Sequence, residues 1–121
     1  MSIQTSPRDA LPEHEPLLLL EDAAERIGVP VTRVIDLLQE HKLIAVRDGS
    51  AVALPEAFFN RAKVNKFVPG VIALLADGGY QDEEILGYLF TEDDSLPGRP
   101  VDALHGHRAR EVMRRAQAMA F

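Results

Sequence analysis

"LEDAAERIGVPVTRVIDLLQEH", Leu20–His41, decides how this chain is read. Glu21 and Asp22 suit the positive end of a helix dipole, and Ala23, Ala24 and Ile27 place an apolar face behind them. Gly28 permits a tight reversal, and Pro30 can occupy the first turn of a second helix. In that second helix Val34, Leu37 and Leu38 recur at i, i+3 and i+4, with Ile35 beside them, which is the helical period. Thr32, Arg33 and Asp36 then fall on the opposite side. A small residue at Ala24 and a glycine at Gly28 let the two helices cross steeply over a short turn. The spacing predicts a helix-turn-helix.

Immediately downstream, "LIAVRDGSAVALP" (43–55) alternates apolar and polar residues around Asp48-Gly49. Asp-Gly between strand-like residues is a strong hairpin signal, because both residues tolerate positive φ. A hairpin directly after a helix-turn-helix is a wing. Pro55 closes its second strand, and "EAFFNRA" reads as a turn or short helix packing Phe58 and Phe59 beneath it. Beyond that the pattern is helical. Val71, Ile72, Leu74 and Leu75 form an apolar face after Pro69, and Gly78-Gly79 stops it. Asp82 is the expected N-cap of a helix burying Ile85, Leu86, Leu89 and Phe90. "TEDDSLPGRP" is a loop and "PVDAL" a short helical turn. Ala109, Val112, Met113, Ala116 and Met119 then make one stripe, with Arg108, Arg110, Arg114 and Arg115 mostly off it. The first sixteen residues carry Pro7, Pro12 and Pro16 and little that packs, so they read as a flexible tail. The expected fold is mostly α with a small two-stranded β wing. It divides into a tail (1–16), a winged helix-turn-helix (17–66) and a C-terminal helical region packed on it (67–121).

With 121 residues, 46% of them hydrophobic, the chain can build one compact core. There is no cysteine, which removes disulfides and thiolate metal sites and fits a reducing compartment. No apolar run, "PLLLL" (16–20) included, approaches the roughly 20 residues a membrane span needs. No basic segment precedes an apolar one at the start, so a signal peptide is not expected and the chain reads as cytoplasmic, with no membrane partner. The net charge is −6, yet it is unevenly spread. Residues 17–66 balance seven acids with seven bases, residues 67–98 hold seven acids and no base, and residues 99–121 hold five Arg against two acids. Local charge decides whether a phosphate backbone can be approached.

In helix-turn-helix proteins the front of the second helix meets base edges in the major groove. Thr32 and Arg33 are the exposed candidates there: Arg bonds guanine with two donors, and Thr offers a hydroxyl or methyl. Arg47 and Ser50 flank the wing turn, where backbone or minor-groove contact is usual, and Lys42 is a candidate phosphate contact. For each of these an ordinary solvated charge is the plainer account, and the succession of helix pair and wing is what favours contact with double-stranded DNA. Arg61, Lys63 and Lys66, uninterrupted by acid, extend the candidate backbone contact. Neutralising roughly four to six phosphates gives modest affinity with clear salt dependence, which a homodimer on paired half-sites would improve. His105 and His107 are one residue apart, and His14 and His41 are remote, so no zinc site is expected. The carboxylates at 82–84 and 92–94 lack EF-hand order. No cofactor motif, nucleophile elbow or phosphate loop is present, and an enzyme is not expected. Ser2, Thr5 and Ser6 offer hydroxyls in the tail. Phosphorylation at Thr5 by a Ser/Thr kinase would add about −1.5 to −2 charge near a thinly cationic face.

Residues 17–59, through "LEDAAERIGVPVTRVIDLLQEHKLIAVRDG", resemble the winged helix-turn-helix of the excisionase and MerR-like group. Together with "GYQDEEILGYLFTEDDSLPGRPVDALHGHRAREVMRRAQAMAF" (79–121), the chain is similar to an actinobacterial family of small winged helix-turn-helix DNA-binding proteins, typified by a mycobacterial Ser/Thr-kinase substrate. That resemblance implies a DNA-binding transcriptional regulator with a C-terminal helical extension and kinase control from the tail, and it supports Thr32, Arg33 and Arg47 as contact positions. The same C-terminal stretch, through "LF", "LPGRPVDAL" and "AREVMRRA", is also similar to the toxin-binding region of Xre/MbcA-type antitoxins. The alternative it implies is a protein-interaction adaptor whose C-terminal helices dock a partner.

Overall fold

The computed structural model describes residues 3–120. The opening helix pair forms as the spacing requires. α1 (Leu20–Ile27) ends at Gly28, whose φ of 70° lies in the left-handed region. The Gly28 amide donates to the Ala24 and Glu25 carbonyls, and the Val29 amide donates to Ala24 at 3.0 Å, so the last turn closes on itself. α2 (Val31–Gln39) follows, with Val34 and Leu38 buried. Pro30 is its N-cap and not a first-turn residue. With ψ at 154° it is extended, and the chain enters the helix one residue later than expected.

β1 (Thr5–Pro7), β2 (Leu17–Leu19), β3 (Ala45–Asp48) and β4 (Ala51–Pro55) form one sheet in the order β1-β3-β4-β2. The wing hairpin β3–β4 is therefore the middle of a four-stranded sheet, not an isolated two-stranded ribbon. Its base is flanked by β1, parallel, with Thr5 opposite Ala45 and Pro7 opposite Arg47, and by β2, antiparallel, with Leu17 opposite Pro55 and Leu19 opposite Ala53. Asp48 pairs with Ala51, so the two turn residues are Gly49 and Ser50, one position beyond the expected Asp48-Gly49. Only Gly49 takes a positive φ, 65°, and a glycine at the first central position is what a II′ turn requires.

The expectation of a flexible tail at 1–16 is overturned for the described residues 3–16 by this sheet. Three residues suffice for an edge strand, and Pro7 sits at its end, where a missing donor costs least. A 3-10 turn over Arg8–Ala10 follows. Leu11 is buried, and the Arg8 guanidinium donates to the carbonyls of Pro12, Glu13 and Glu15, closing the next bend. This segment also packs against α4, far along the chain.

After the wing, a 3-10 turn (Glu56–Phe58) buries Phe58, and Phe59 is buried beside it. A second hairpin was not foreseen: β5 (Phe59–Asn60) and β6 (Lys63–Val64), turning on Arg61-Ala62. Four helices complete the chain: α3 (Val68–Asp77), α4 (Asp82–Phe90), α5 (Pro100–Ala103) and α6 (Ala109–Met119). Val71, Ile72 and Leu75 of α3, all four expected apolar residues of α4, and Ala109, Val112 and Ala116 of α6 are buried. The cap of α4 is Gln81, not Asp82. Gln81 and Glu84 exchange side-chain and backbone hydrogen bonds in a capping box, a reciprocal pair that Asp82 cannot offer. A Cβ on Gly70 would stand 3.0 Å from Met113 Cε, and one on Gly78 only 2.6 Å from Ala120 Cα. α3 and α6 thus run in the same direction, with glycine at each close approach. One contiguous core joins everything from Leu11 to Ala116.

Candidate nucleic-acid interface

Thr32 and Arg33 are exposed in the first turn of α2, where side chains project clear of the neighbouring helix. Among the described residues Arg33 has no carboxylate partner. Asp36 and Glu40 are exposed further along the same helix, so positive charge is confined to its front. At the wing, Arg47, Asp48, Gly49 and Ser50 are all exposed, and no strand among the described residues lies beside Asp48–Ala51. Arg47 reaches across the turn, its Nη1 donating weakly to the Ser50 carbonyl at 3.4 Å. Four of the five candidate residues fall into two groups, Thr32 with Arg33 on the helix and Arg47 with Ser50 on the wing. Lys42 joins neither. Its Nζ lies 3.3 Å from the Glu40 carboxylate, an exposed pair whose net worth is small and which phosphate can displace.

The described residues include all thirteen Lys and Arg, so the free cations can be located. Arg26, Lys42, Arg99, Arg114 and Arg115 are in ion pairs. Hydrogen bonds from Arg115 and Arg114 hold the Glu111 carboxyl below the usual carboxylate range. Arg8 and Arg47 bond carbonyls. Arg33, Arg61, Lys63, Lys66, Arg108 and Arg110 remain without a carboxylate partner among the described residues. The sequence reads Arg61 as part of a turn or short helix and assigns Lys63 to no element. They belong to the second hairpin, with Arg61 at φ 52°, and neither central turn position holds a glycine or asparagine.

In the segment that resembles an antitoxin surface the apolar residues turn inward, while Pro97, Asp102, Arg110 and Arg114 are exposed. Leu96, Pro100, Val101 and Leu104 are buried, and Arg99 is bonded to Glu15 and Asp102. Thr5 is half-buried in edge strand β1 and Ser6 is buried, while Ser2 lies outside the described residues.

Residues 4–59 match the family model described as "DNA-binding protein Rv2175c, wHTH domain", and residues 65–120 match "Rv2175c C-terminal domain of unknown function". The chain belongs to the Rv2175c family. It is 48% identical over 126 residues to the "DNA-binding protein Rv2175c" of Mycobacterium tuberculosis (strain ATCC 25618 / H37Rv), covering 93% of this chain and 86% of the relative. The NMR structure of Rv2175c superposes with a TM-score of 0.84 at 46% identity, covering 98% of this chain and 92% of that one. The winged unit of the Rv2175c family matches from residue 4, so it takes in the N-terminal segment that the sequence presented as a tail. No described helix is long and apolar enough to cross a membrane.

Proposed function

We propose that this chain is a DNA-binding transcriptional regulator that sets the front of α2 in the major groove and lays the wing tip on the adjoining backbone or minor groove. The observation carrying this reading is the pairing of an unpartnered, exposed Arg33 with Thr32 at the start of the second helix of a winged helix-turn-helix. The Mycobacterium tuberculosis relative, named a DNA-binding protein, agrees with it. Arg33 reads a base edge, Thr32 assists it, Arg47 and Ser50 meet backbone, and Lys42 exchanges Glu40 for phosphate. Two copies on paired half-sites would add their contacts. The docking-adaptor reading draws less support, since the apolar side chains Leu96, Val101 and Leu104 of its key segment are buried in this chain's own core.

Binding to random and specific duplexes across a salt series tests the reading. Arg33→Ala is expected to cost about 1–3 kcal/mol on the preferred sequence and to relax discrimination at one base pair. Arg47→Ala should weaken all sequences alike and lower the salt slope by about 0.9. A parent chain that retards no duplex at low salt would falsify the proposal.

Control by a Ser/Thr kinase at Thr5 belongs to the same proposal. Thr5 pairs with Ala45, at the start of the wing strand β3, so a phosphate would set negative charge beside the strand that leads to Arg47. Thr5→Glu should bind DNA several-fold more weakly at low salt, with most of the difference gone at high salt. Parent-level affinity for Thr5→Glu would remove Thr5 as the switch.

A further inference from the structure

Four of the six cations without a carboxylate partner among the described residues gather at one place. Lys63 and Lys66, from the second hairpin and the turn after it, share a groove of about 500 Å³ with Arg110 of α6, and Asn60, Asn65 and His105 also line it. No carboxylate lines it. Arg61, at the hairpin tip, lines an adjoining hollow that shares Asn60, Lys63 and His105. The groove is rigidly built. Asn65 is 1% exposed, its Nδ2 donates to the Leu104 carbonyl at 3.0 Å, and its Oδ1 accepts from the Phe67 amide at 2.8 Å. His105 donates from Nε2 to the Ala57 carbonyl at 2.6 Å, so one ring ties the loop before α6 to the turn after the wing. Lys66 lies against the Phe67 ring, 5.1 Å from its centroid. The backbone segments that carry these cations, from both halves of the chain, are thereby tied together.

We infer that this groove is a second phosphate-backbone contact for duplex DNA, and that providing Arg110 to it is a role of the C-terminal half. The inference rests on the DNA reading above and adds a sequence-independent anchor to it. Three cations, with the Asn60 side-chain amide beside them and no competing acid, suit a phosphodiester.

The test uses the full chain carrying Lys63→Ala, Lys66→Ala and Arg110→Ala together, all three being exposed side chains, with thermal unfolding to verify folding. The salt slope should fall by about two to three, and low-salt affinity on the order of 10- to 100-fold, equally on all sequences. A charge-matched control, Ala73→Glu with Gln117→Glu and Ala118→Glu, should keep most of the slope. NMR of the Asn65 side-chain amide should show a shift with duplex and none with inorganic phosphate at equal concentration. A groove variant with the parent's slope, while Arg33→Ala still loses binding, overturns the groove alone. A control losing as much as the groove variant overturns it as well, by reducing the effect to bulk charge. Equal Asn65 shifts with inorganic phosphate reduce the groove to a free-anion site. No retardation of the parent chain overturns both readings.

Discussion

Phe58→Ala is expected to lower the unfolding free energy by about 3–5 kcal/mol, with both halves of the chain losing it together. Phe58 is fully buried, and its ring stands 5.8 Å from that of Phe90, tilted by 55°, within the centroid range at which aromatic pairs attract. The two rings come from different halves. Phe58 ends the 3-10 turn after the wing, and Phe90 ends α4. Removing one ring leaves a void that neither half can close without shifting the other. The chain has no tryptophan and two tyrosines, Tyr80 and Tyr88, both beyond residue 66. Tyrosine fluorescence therefore reports the C-terminal half, while the substitution lies in the winged half. In denaturant, the fluorescence midpoint and the far-UV dichroism midpoint should fall by the same amount, with the slope m unchanged. Two separated midpoints, with tyrosine unmoved, would show two folding units in place of one.

The sequence made the helices legible because their burial is periodic and local. Val34 and Leu38, Ile85 and Leu89, and Val112 and Ala116 recur at helical spacing, and each of these residues is buried. The wing was legible through its glycine, but its register was read one residue early, since Asp-Gly and Gly-Ser both make acceptable turns. What could not be read depends on distant partners. Three prolines and a low apolar content made residues 1–16 look unanchored. Their anchors are β3, α4 and Arg99, the last separated from Glu15 by 84 positions. The hairpin at Arg61-Ala62 carries no turn residue at its two central positions and is imposed by burial of Phe59 before it and the Asn65 bonds after it. At the candidate interface, sequence identified the exposed side chains of α2 and the wing. It could not show that Lys42 is occupied by Glu40, or that Arg110 stands beside Lys63.

The second large effect is expected at Arg99. Its guanidinium donates to both Glu15 oxygens, one of them at 3.3 Å, and to Asp102 at 2.9 and 3.1 Å, while lying 5.2 Å over the Phe90 ring. The Glu15 side chain is only 6% exposed. Removing Arg99 strands that carboxylate without its partner, a situation that costs more than the intact pair contributes. Arg99→Ala should lose on the order of 3 kcal/mol. Amide exchange at Thr5 and Ser6 should quicken, because β1 and the bend behind it lose their tie to the C-terminal half. Acid makes the same argument from another side. Hydrogen bonding from Arg99 holds the Asp102 carboxyl below its usual range, so its folded-state pKa is depressed. The stability it contributes is complete above the unfolded carboxylate range, about pH 4, and is lost as pH falls through the lowered value. Arg99→Ala should therefore flatten the acid side of the stability curve as well as lowering its plateau. A variant that loses less than about 1 kcal/mol, with β1 exchange unchanged, would assign the holding of the N-terminal segment to strand pairing and Leu11 alone.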